Sequence, residues 1–119
     1  MTEEDKELLL RDLCARLPYG VCVHVRYKEG EPCYGKLTPR DIQWFIDSKI
    51  ENIKPYLRPM SSMTEDEKRE YQAFFNYDGV EYPEEYIDWL NAHHFDYRGF
   101  IEKGLALEAL EGMYNLKEK

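Results

Sequence analysis

No stretch of this chain is apolar for anything near the roughly 20 residues that span a bilayer; the longest runs are of the kind Leu8-Leu9-Leu10. Cysteine is sparse and unpaired in pattern. Cys14, Cys22 and Cys33 are odd in number and form no CxxC, so reduced thiols are the simplest account, with a Cys14–Cys22 or Cys22–Cys33 bridge as the alternative. The signatures that announce chemistry are also missing: no P-loop, no GxGxxG, no HExxH and no GxSxG elbow. Low-complexity tracts, internal repeats and long linkers are absent as well. The N-terminus carries Glu3, Glu4, Asp5 and Glu7, the reverse of a basic secretory leader, which leads to the expectation of a cytoplasmic protein.

What is present suffices for one folded unit. The 119 residues fit one domain, 1–119, and are short for two, and 43% hydrophobic with 14% aromatic residues can supply a core. The net charge of -8 is unevenly placed. Residues 1–60 hold ten Lys/Arg and ten Asp/Glu, whereas residues 61–119 hold six and fourteen. An acidic half repels phosphate backbones and anionic lipid, so neither nucleic acid nor membrane is an expected partner; a basic protein surface is not excluded.

Along the chain, Glu3 to Arg16 reads as a helix capped by Thr2, with Leu10, Leu13, Cys14 and Leu17 on one stripe, ended by Pro18 and Gly20. Val21, Val23, Val25 and Tyr27 alternate with Cys22, His24 and Arg26, a strand with one buried face, and Cys33–Leu37 returns as a weaker antiparallel partner. Thr38-Pro39-Arg40-Asp41 opens a helix over about 39–48 with Ile42, Phe45 and Ile46 together. Ile50 to Leu57 gives a third strand, in which Pro55 suits an edge or an end. The capping box Thr64–Glu67 opens a helix carrying Tyr71, Phe74 and Phe75 to about Asn76. Another helix starts at Tyr82-Pro83, with Tyr86, Trp89, Leu90 and His93 on a stripe. Asp96 then caps a short helix to Lys103, with Gly104 and Leu105 closing it in a Schellman ending. Leu110, Met113, Tyr114 and Leu116 continue a helix or drape over the core. The fold class expected is therefore α+β: an N-terminal helix, a small antiparallel sheet of about three strands, and a mostly helical second half.

Each candidate for chemistry has a plainer reading. His93 and His94 are neighbours, about 100° apart on a helix, whereas ligand pairs favour i,i+3 or i,i+4; one ring packed on the apolar stripe and one solvated at the helix end is the simpler arrangement. Cys22 and His24 share a strand face, and Cys33 across a hairpin would make three ligands lacking a fourth; buried thiols acting as small hydrophobes are commoner. Glu84, Glu85 and Asp88 are explained as charges that complement a helix N-terminus, and Ser61 and Ser62 as loop or capping residues. No catalytic, metal or cofactor-binding residue is assigned, and no cofactor is expected. The ten tyrosines and two tryptophans suit either a core or a docking surface, since both bury large area with a polar tip. The candidate interaction surface is Tyr71, Phe75 and Tyr77, joined by Arg58, which has no evident local partner.

Two blocks, Lys54–Thr64 (KPYLRPMSSMT) and His93–Leu107 (HHFDYRGFIEKGLAL), together with Asp12–Gly20 (DLCARLPYG), resemble a group of short uncharacterised proteins of gut bacteria, often in prophage-like or mobile regions. The resemblance implies a bacterial, cytoplasmic, phage-related setting and brings no catalytic residues. The leading expectation is a non-enzymatic module that binds a protein partner, or a second copy of itself, through its acidic, aromatic-rich second half. An acidic mimic of nucleic acid that occupies a DNA-binding protein is the second reading. A small enzyme or metal site around His93 and His94 is the third.

Overall fold

The computed structural model describes residues 2–76, 79–80 and 83–114. Helix α1 (Glu3–Arg16) leads through a 3-10 turn at Leu17–Tyr19 into β1 (Cys22–Tyr27), β2 (Cys33–Lys36), α2 (Pro39–Ile46) and β3 (Ile50–Leu57). A second 3-10 turn, Met60–Ser62, precedes α3 (Glu65–Gln72), the short strands β4 (Phe75–Asn76) and β5 (Gly79–Val80), α4 (Pro83–Ala92), α5 (Phe100–Lys103) and β6 (Leu107–Glu108). The fold is α+β with the N-terminal helix in place.

The main sheet has the order β2-β1-β3-β6. Strand β1 pairs antiparallel with β2 and β3, as the alternation predicts, while β6 adds a parallel fourth strand through Tyr56↔Leu107 and Leu57↔Glu108. So β3 is not an edge along its whole length. Pro55 is nonetheless accommodated, because β6 joins β3 only from Tyr56 onward. The buried cluster gathers Leu9 and Leu13 of α1, Ile42 and Phe45 of α2, Val23 and Val25 of β1, Ile53 and Leu57 of β3, and Phe100. Burial of these side chains against the inner sheet face is the main stabilising term, on the order of 1.5–3 kcal/mol for each large aliphatic residue.

Helix α1 corrects the expected stripe. Its inward positions are Leu9, Asp12, Leu13 and Arg16, while Cys14 is exposed and Leu10 and Leu17 are half-buried. Two of the four inward positions are charged and pair at i,i+4, with Arg16 Nε donating to Asp12 Oδ2 at 2.8 Å, so an apolar pattern misplaces the stripe by one residue. In α2 the capping box of Thr38 and Asp41 forms, but Ile46 faces solvent. Helix α3 stops at Gln72, short of Asn76, and Phe75 instead starts β4, paired with Val80 of β5. Helix α5 is also shorter than expected. Gly99, at φ +75°, is its N-cap, yet Asp96 still accepts from the Phe100 and Ile101 amides at 2.8 and 3.0 Å. At its end Gly104 is left-handed, and the Leu105 and Gly104 amides return to the Phe100 and Ile101 carbonyls in the Schellman pattern.

Candidate functional site

The second half is fastened to the sheet by Arg58. Immediately after β3, the Met60–Ser62 turn and the Thr64 cap bring Glu67 back beneath the guanidinium. Arg58 Nη2 donates to Glu67 Oε1 at 2.7 Å and Nη1 to Oε2 at 2.9 Å, a bidentate pair. The same group donates to the carbonyls of His93 (3.1 Å) and Ser62 (3.4 Å), and its carbon lies 4.2 Å from the Phe95 ring centroid. The backbone joins in, Arg58 N–H donating to His94 O and Asp96 N–H to Arg58 O, both at 2.8 Å. Arg58 is therefore 3% exposed, and its placement on the candidate interaction surface is corrected: its donors are spent inside the fold. Burial alone would raise the Glu67 carboxyl, but hydrogen bonding by Arg58 and by the Thr64 amide outweighs it and holds the group below the usual carboxylate range.

A second buried pair supports this junction. Asp12 accepts from Arg16 and, at 2.9 Å, from Arg98, while Arg16 Nη2 reaches the Phe95 carbonyl at 2.8 Å. Arg16 thus holds the segment that follows α4, and Arg98 of that segment reaches back to Asp12. Of the expected packed and solvated histidines, the packed one is found, and the solvated one is corrected. His93 stacks on Trp89 at 4.4 Å, with Nδ1 2.9 Å from the Trp89 carbonyl. His94, at φ +65°, is buried and stacks on Tyr114 at 3.8 Å. Desolvation, then the positive charges of Arg16 and Arg58, depress its pKa to about 4. Among the described residues neither ring hydrogen-bonds to a carboxylate, although His93 lies near enough to Glu67 to act on its charge, and no three His, Cys, Asp or Glu side chains cluster as metal ligands. Cys33 pairs with Val25, so it lies on the sheet face opposite Cys22 and His24, and the three do not converge.

The aromatic surface is assembled between α3, β4 and α4. Tyr71 and Phe75 meet edge-on at 5.1 Å, and Tyr86 contacts Phe74 and Phe75 at 5.6 and 5.5 Å. Trp89 stacks on buried Phe95 at 5.7 Å and donates from Nε1 to Glu70 at 2.9 Å. Partial burial and the neighbouring Tyr71 hydroxyl push the Tyr86 phenol up to about 12. Of the expected surface residues, Tyr71 is half-buried, Phe75 is 40% exposed, and Tyr77 lies outside the described residues. Ile87, 37% exposed, was missed because it falls off the Tyr86–Trp89–Leu90–His93 stripe. It borders a shallow depression of about 450 Å³ with Pro83, Glu84 and Asp88. Helix α4 exposes Glu84, Glu85 and Asp88 and contains no lysine or arginine. Ile87 thus lies among the acids of α4, and Phe75 is exposed where it meets Tyr86 of the same helix.

Comparison with family models, with curated proteins and with solved structures returns no match. Among the described residues no helix is long and apolar enough to cross a membrane.

Proposed function

We propose that this chain is a non-enzymatic protein-interaction module that docks a basic, apolar-studded segment of a partner protein on the α3–β4–α4 face. The observation that carries the reading is the exposure of Ile87 beside Glu84 and Asp88 on α4, the helix whose Tyr86 meets the likewise exposed Phe75 of β4; Glu84, Glu85 and Asp88 have no ion-pair partner among the described residues. Aromatic and aliphatic anchors surrounded by charge give an interface its affinity and its orientation respectively. The rigid base beneath, Trp89 on Phe95 and Arg58 on Glu67, lowers the ordering cost of binding. The setting we assign, a bacterial and phage-related cytoplasm, rests on the resemblance of the Lys54–Thr64 and His93–Leu107 blocks and on three cysteines that make no disulfide.

The mimic of nucleic acid draws less support, since Asp12, Glu65, Asp66 and Glu67 are engaged in ion pairs rather than spaced along an open stripe. The test is affinity capture with the wild-type chain and a Phe75→Ser/Ile87→Ser variant in parallel. A binder retained by the wild type and released by the variant is the expected outcome. A binder held equally by both excludes this face.

A further inference from the structure

We infer that the open face of the main sheet is a site for a nucleoside phosphate, with the phosphate on Arg26, His24 and Lys54 and the base stacked on Tyr34. The inference is independent of the α3–α4 reading and rests on strand register. Val23 and Val25 point into the core, so His24 and Arg26 point out, and the pairing places Tyr34 and Lys54 on either side of His24. Arg26 lies opposite Asn52, and Cys22 opposite Lys36. With strands about 4.8 Å apart, Tyr34, His24 and Lys54 form one row roughly 10 Å wide across three strands.

The row has a concavity beside it. A cleft of about 220 Å³ is lined by His24, Arg26, Asn52, Lys54 and Leu107. Its volume is below the roughly 300 Å³ of a site that swallows a whole organic ligand, and suits a phosphate with its sugar partly outside. Tyr34, paired across the strands with His24 of that lining, is 64% exposed, the most exposed large apolar side chain among the described residues. One edge contact to Tyr56, at 6.1 Å between centroids, holds the ring against the sheet. An aromatic beside unpaired cations is the arrangement that recognises a base and its phosphate together.

Charge decides the class of ligand. Arg26, Lys36 and Lys54 form no ion pair among the described residues, and the positions paired across this face, Cys22, His24, Arg26, Tyr34, Lys36, Asn52 and Lys54, include no carboxylate. Summed over the chain this patch disappears beneath the net -8, which is why composition alone argues against an anionic ligand. The acidic second half still opposes a long polyanion that would run beyond the sheet, so the occupant is a single nucleotide rather than a nucleic-acid strand.

The test is an amide-resolved NMR titration of the full chain with adenosine monophosphate, inorganic phosphate, adenosine and a tetra-adenylate strand. The expected result is shifts centred on His24, Arg26, Tyr34 and Lys54 with the monophosphate, and weaker binding of phosphate at the same cleft. Arg26→Gln and Lys54→Gln, surface changes that leave the core untouched, each weaken the monophosphate by roughly tenfold or more. Tyr34→Ala weakens the monophosphate and leaves phosphate unchanged. Absence of shifts on this face at millimolar monophosphate overturns the inference. Adenosine binding as tightly as the monophosphate overturns it, as does binding of the tetranucleotide alone.

Discussion

Replacing Arg58 by methionine isolates the contact on which the second half depends. The change keeps an unbranched apolar stem for Phe95 and removes four donated hydrogen bonds: two to Glu67, one to His93 O and one to Ser62 O. Removing one partner of a buried pair typically costs about 3–5 kcal/mol, because the remaining charge is left uncompensated. Glu67 keeps the Thr64 amide at 2.9 Å, which places the expected loss near the lower end, about 3 kcal/mol. For a domain of this length that is a drop in Tm of about 10–15 °C. The sign with pH is also fixed. Since the folded Glu67 pKa lies below its ordinary value, the pair's contribution is present above about pH 4.5 and is lost as pH falls through the folded value. Chemical denaturation of wild type, Arg58→Met and Arg58→Met/Glu67→Met at pH 7 and at pH 3 is the assay. The double variant is expected to be more stable than the single one at pH 7, and the gap between wild type and Arg58→Met should narrow at pH 3. A single variant within 1 kcal/mol of wild type, or a double variant no better than the single, refutes the reasoning.

Other perturbations separate the remaining contributions. Asp12→Ala leaves the fully buried Arg16 without a counter-ion and should cost about 3 kcal/mol or more, whereas Arg98→Met, removing the partly exposed partner, should cost under about 1 kcal/mol; paired urea titrations check both. His94, with its folded pKa depressed from 6.5 to about 4, contributes stability that is complete above pH 6.5 and is lost as pH falls toward 4, on the order of 3 kcal/mol. His94→Asn, which tolerates the positive φ, should flatten stability over that window. Tyr114→Phe deletes the hydroxyl that donates to Tyr56 O at 2.7 Å and accepts from Cys22 N–H at 2.8 Å, an expected loss of about 1–3 kcal/mol by thermal melting.

Local signals in the sequence translated well where each element answers to its own residues. Val21, Val23 and Val25 are buried by strand alternation, the Thr38 and Thr64 boxes cap α2 and α3, and Gly104 closes α5. Features that depend on distant partners were not legible. Asp12 and Arg16 read as polar interruptions of α1 until Arg98 and the Phe95 carbonyl are brought beside them. The parallel pairing of Leu107 with Tyr56 is a two-residue contact with no periodicity of its own. Arg58 has no evident partner in the sequence because Glu67 lies nine residues on and serves as half of a capping box; one carboxylate performs both jobs. For the candidate surface, Tyr71 and Phe75 were visible as aromatics, while Ile87 needed the packing of α4 to show which of its sides is left uncovered.

Hydrogen-exchange mapping of the purified complex, with the partner obtained by wild-type capture, tests the interaction reading most directly. The expected footprint is slowed exchange over α3, Phe75 and α4, with β1 and β2 unchanged. Protection confined to α1 or to the sheet, with the α3–α4 amides exchanging as in the unbound chain, would contradict it.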